Sequence, residues 1–93
     1  MLKYCLRVQE RIEKEFDCAG VFRVQHPRPF CTPGFTEVHF MFERPWRDGD
    51  RRVRGTRIEL RLHPGDLRYL DEIAQEVKIR FAESEEQVTH DVQ

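Results

Sequence analysis

The residues best equipped for chemistry lie between His39 and Arg61. Arg44, Arg47, Arg51, Arg52, Arg54, Arg57 and Arg61 fall on and after one turn, with Trp46 among them. A guanidinium grips phosphate or carboxylate through paired N–H donors, and an exposed indole can stack on a base. The chemistry suggested is recognition of an anionic macromolecule, either nucleic acid or an acidic protein surface. The plainer reading is a solvated hairpin whose arginines pair with Glu37, Glu43, Asp48, Asp50 and the acidic last segment. Such a charged edge also discourages stray strand pairing.

A second group lies in the proline-rich stretch His26-Pro27-Arg28-Pro29-Phe30-Cys31-Thr32-Pro33-Gly34. His26 and Cys31 could form a base and a nucleophile. No third orienting group accompanies them and no Gly-rich oxyanion loop follows, so a non-catalytic protein is expected. Cys18, His26, Cys31, His39 and His63 do not stand at zinc-motif spacing, and phosphate-loop and dinucleotide fingerprints are absent. The sequence therefore calls for no metal or cofactor, and it suggests no small-molecule substrate.

Charge is uneven along the chain. The net charge is −1, yet residues 44–65 hold seven Arg against three acids, and residues 66–93 hold three basic residues against eight acids. A basic centre followed by an acidic end suits contact with an anionic partner, including the acidic segment of a second copy. Affinity for nucleic acid more often shows as an overall basic excess, and this chain has none.

These groups need a frame, and the stretch from Thr56 to Phe81 supplies it. Thr56-Arg57-Ile58-Glu59-Leu60-Arg61-Leu62 alternates polar and apolar, the pattern of a strand with one buried face. After His63-Pro64-Gly65-Asp66, the apolar residues Leu67, Leu70, Ile73, Ala74, Val77 and Phe81 recur at steps of three and four, one face of a helix. Val77-Lys78-Ile79-Arg80-Phe81 also alternates, but no Gly or Pro breaks the pattern, so one helix to about Ala82 is expected. His63 or Asp66 could cap its start.

Upstream, Cys5, Val8, Ile12, Phe16 and Ala19 predict a helix from about Leu2 to Cys18, with Gly20 ending it. Val21–Gln25 reads as a short edge strand. Phe35–Arg44 reads as a second strand with Val38, Phe40 and Phe42 inward, and Pro45-Trp46-Arg47-Asp48-Gly49-Asp50 as the turn, with Asp-Gly its strongest signal. Apolar parity changes between Val53 and Ile58, which predicts a bulge or bend at Gly55. The expected fold is an α+β two-layer sandwich in α-β-β-β-α order. A three-stranded antiparallel meander carries both helices on one face. His39, Met41, Glu43, Arg57, Glu59 and Arg61 would then share the other face. Residues 1–82 form a single domain and 83–93 an acidic, flexible tail.

The chain of 93 residues is long enough for one core, and ten aromatic residues, seven of them Phe, can fill it. Cys5, Cys18 and Cys31 cannot all pair internally, and no apolar run suggests a secretory signal or a membrane span. A cytoplasmic protein with free thiols is expected.

The α-β-β-β-α order resembles that of double-stranded-RNA-binding domains. Those domains place lysines at the start of the last helix to hold phosphates. Here the matching residues are Pro64-Gly65-Asp66-Leu67-Arg68-Tyr69-Leu70-Asp71-Glu72, with Asp66, Asp71 and Glu72 against Arg68. The resemblance is one of element order, and no membership is inferred.

The reading that results is a small binding or regulatory protein contacting an anionic partner through Arg44, Trp46, Arg47, Arg51, Arg52, Arg54, Arg57, Arg61 and His39. The alternative is a regulator or inhibitor acting through a sheet edge or as a homodimer, with Met41, Trp46 and Phe35 as candidate exposed apolar contacts. An enzyme using His26 and Cys31 ranks third.

Overall fold

The computed structural model describes residues 1–27, 35–48 and 51–91, with side chains outside 46–54 and 86–91. Helix α1 spans Leu2–Phe16, strands β1, β2 and β3 span Ala19–Gln25, Glu37–Asp48 and Arg51–Leu62, and helix α2 spans Leu70–Asp91. The strands form one antiparallel sheet in the order β1-β2-β3. The helices pack on one of its faces, as the period-two and period-3.6 patterns require.

That shared face is built in rows. Phe42 lies between Gly20 and Ile58, Phe40 between Phe22 and Leu60, and Val38 between Val24 and Leu62. The Phe40 and Phe42 rings lie parallel, 5.8 Å apart. Cys5, Val8 and Ile12 of α1 and Ile73, Ala74, Val77 and Phe81 of α2 close over them, all buried. Burying one such large apolar side chain is worth about 1.5–3 kcal/mol, which makes this layer the main source of stability.

The sequence places the end of α1 differently from the structure. Gly20 was the expected terminator, but Asp17 takes the left-handed conformation, with φ 51° and ψ 57°. Aspartate tolerates that region better than most residues. The Asp17 and Cys18 N–H groups both donate to the Glu13 carbonyl. Gly20 instead lies within β1, and its N–H donates to Glu13 Oε2 at 3.0 Å. A Cβ there would stand 2.6 Å from Phe42 Cε1, so glycine is needed for the ring's close approach.

The expected bulge is present. Arg44 faces Thr56 but Trp46 faces Val53, so Arg54 and Gly55 together oppose Pro45. Proline has no N–H to give the ladder, and the interruption falls where it costs least. A Cβ on Gly55 would lie 3.0 Å from the Arg44 carbonyl oxygen. Beyond the bulge the pairing resumes down to Asp48 and Arg51, which carries β2 past the end expected at Arg44. The turn residues Gly49 and Asp50 lie outside the described residues.

Between β3 and α2, Pro64–Asp66 forms a single 3-10 turn. His63 caps it, its Nδ1 accepting the Gly65 N–H at 3.0 Å, and Leu67 is buried beneath. Helix α2 therefore begins at Leu70 rather than at the proline. It keeps Val77–Phe81 helical and continues past Ala82 to Asp91. Residues 82–91 contain neither Gly nor Pro and are rich in helix-favouring Glu, Ala and Gln. No described helix is long and apolar enough to cross a membrane.

Candidate anion-binding face

The nominated residues divide between two faces. Arg44 is on the covered side. Its Nε donates to the Phe16 carbonyl at 3.0 Å, and its Nη1 donates to Glu85 at 2.9 Å. The guanidinium lies 4.6 Å from the Phe81 ring centroid and 5.9 Å from that of Phe16. It bolts the end of α1 to α2 and takes its polarity from the protein's own groups. Arg44 thus leaves the set of groups able to meet a partner. Parity shows this in retrospect, because Arg44 continues the even-numbered inward series of Val38, Phe40 and Phe42.

Trp46, Arg47, Arg51 and Arg52 sit on the paired ends of β2 and β3 beyond the bulge, and Arg54 lies in the bulge itself. Their side chains lie outside the described residues.

His39, Arg57 and Arg61 are on the uncovered face, as alternation predicts. The register puts His39 beside Arg61 on one flank and beside Arg23 of β1 on the other. Arg23 was not among the nominated residues. The sequence places it on a short strand of its own, and only the pairing of β1 with β2 brings it level with His39. Neighbouring strands stand about 4.8 Å apart, so the row Arg23, His39, Arg61 spans roughly 10 Å. The next row holds Val21, Met41 and Glu59, and the one beyond it pairs Glu43 with Arg57. An open concavity of about 420 Å³ lies over the first two rows, lined by Val21, Arg23, His39, Met41, Glu59 and Arg61.

The electrostatics of this face are mixed. Arg23, Arg57 and Arg61 are exposed, and among the described residues no carboxylate forms an ion pair with them. His39 Nε2 lies 3.1 Å from Glu37 Oε2. Glu37, Glu43 and Glu59 balance the three arginines in number.

The remaining candidates are dispersed. Cys31, Arg28 and Thr32 lie outside the described residues, and exposed His26 shares a 3.2 Å contact with Thr36 Oγ1. Cys18 is half-buried with its Sγ against the Ile12 carbonyl at 3.6 Å, and burial pushes its thiol up to about 11. Burial also raises the Cys5 thiol. Both are held as thiols, the unreactive form. Among the described residues no group of three His, Cys, Asp or Glu could hold a metal ion. Phe35 is exposed, with its ring edge-on to His63 at 6.5 Å, and Met41 is half-buried in the concavity. No family model matches the chain, and no curated protein and no solved structure matches it either.

Proposed function

We propose that this protein is a non-catalytic binding module that holds an anionic macromolecule on the uncovered face of its sheet. The observation that carries the reading is the row Arg23, His39, Arg61 across all three strands beside an open concavity. Two arginines flanking a histidine on neighbouring strands suit the oxygens of phosphates or clustered carboxylates. The flanking glutamates favour a short anionic element over a long tract, because extended negative charge would meet Glu37, Glu43 and Glu59. Arg57 lies along the same ladder and extends the contact, and the sequence cluster Arg51, Arg52 and Arg54 adds charge to it. The cysteines retain their thiols in a cytoplasmic setting on this reading.

Fluorescence anisotropy with labelled single-stranded and duplex oligonucleotides, and with a poly-glutamate peptide, tests it. Binding should weaken steeply between about 50 and 200 mM salt. An Arg23→Ala/Arg61→Ala variant should lose most of the affinity while keeping its circular dichroism spectrum. Arg51→Ala/Arg52→Ala/Arg54→Ala should weaken it further. No binding to any of the three probes at low salt ends the proposal.

A further inference from the structure

Among the described residues strand β3 has one open side, since the sheet ends with it. In an antiparallel ladder both backbone groups of a residue point to one side, and the side alternates along the strand. Arg80 Nη1 of α2 donates to the Glu59 carbonyl at 2.7 Å, so Glu59 turns its backbone outward. Arg57 and Arg61, two residues to either side, do the same. Among the described residues Arg80 is the one group that bonds this edge. Beside it runs an open groove of about 680 Å³, lined by Arg57, Glu59 and Arg61 of β3 and by Glu76, Ile79 and Arg80 of α2. Ile79 is exposed there.

The charges along this edge alternate in sign, Arg57, Glu59, Arg61. Two copies laid edge to edge about Leu60 would set Glu59 of each opposite Arg61 of the other. A ladder centred on Glu59 would oppose like charges. One centred on Ile58 would run into the bulge at Gly55. The Leu60 centre alone combines opposite charges with regular backbone on both strands. It would also lay the α2 helices alongside each other across the groove, with Ile79 facing its counterpart and Arg80 near Glu76 and Glu83 of the second copy.

We propose that the free edge of β3 is a self-pairing surface through which two copies of this chain join their sheets antiparallel about Leu60. Arg80 acts as its latch. It occupies the Glu59 carbonyl that the Arg61 N–H of the second copy would take, and Glu76 holds it there at 2.8 Å.

Sedimentation equilibrium of the full chain over a concentration series tests the proposal, with circular dichroism to verify folding. The wild type should show a monomer–dimer equilibrium, and Arg80→Ala should associate at least as tightly. Glu59→Arg sets arginine against arginine twice and should weaken association by about tenfold or more. Glu59→Arg/Arg61→Glu restores opposite charges and should restore the dimer. Wild type and Arg80→Ala both monomeric at every concentration would overturn the proposal, as would a Glu59→Arg variant that dimerises like the wild type. Binding of oligonucleotide or peptide is read separately, so either result leaves the anion-binding proposal to its own test.

Discussion

Arg44 and Arg61 lie on adjacent strands of one sheet and carry the same side chain, yet the two faces use them in opposite ways. On the covered face, Arg44 spends its donors on the Phe16 carbonyl and Glu85, and its flat side lies on aromatic rings. On the uncovered face, Arg61 is exposed, and among the described residues it has no carboxylate partner. Charge is therefore a poor guide to what an arginine does here, whereas position in the pleat decides it. The same contrast separates Phe40, which is 1% exposed, from its neighbour Met41.

The contrast can be broken or sharpened by substitution. The largest split is expected between Phe40→Ala and Met41→Ala. The first opens a cavity in the core and should cost about 3–5 kcal/mol in urea unfolding, while the second should cost under about 1 kcal/mol. Next come the two arginines. Arg44→Ala should destabilise by about 1.5–3 kcal/mol through its charged hydrogen bonds, and Arg61→Ala by no more than about 0.5 kcal/mol. Equal costs would show that Arg44 is not a structural bolt.

A smaller effect of opposite sign is expected at Thr56. It is 3% exposed on the covered face, and among the described residues its Oγ1 has no partner. Thr56→Val keeps the shape, removes the unpaired hydroxyl and should raise stability by about 1 kcal/mol. The smallest effect concerns pH. Cys18 ionises at about 11 when folded, against 9.0 ordinarily, because burial disfavours its thiolate. The unfolded chain thus loses that proton first, and the stability contributed by the folded thiol is intact below pH 9 and falls as pH rises towards 11. A Cys18→Ala variant measured beside the wild type should show a shallower decline over that range.

Period two and period 3.6 made the fold legible, because a half-buried sheet under amphipathic helices writes its pattern directly into apolar spacing. Parity even located the bulge at Gly55. The end of α1 is less legible, because Gly20 satisfies the general rule for a helix stop, whereas its real constraint, the Phe42 ring, is remote in sequence. The end of α2 lies beyond what the acidity of the last residues suggests, because glutamate favours helix and Glu85 meets Arg44 across the fold. The candidate face was half legible. Alternation places His39, Arg57 and Arg61 on one face, whereas charge clustering does not separate Arg44 from them or point to Arg23. Only strand register shows that Arg23 stands level with His39.

The bulge at Gly55 also divides the β2–β3 ladder into two independently phased stretches. Deleting that one residue would leave Arg54 alone opposite Pro45 and remove the local bend and extra twist, while keeping Trp46 opposite Val53 and the inter-layer contacts below it. The distal arm can therefore be re-aimed by a change in length at one point, without redesign of the globule that carries it.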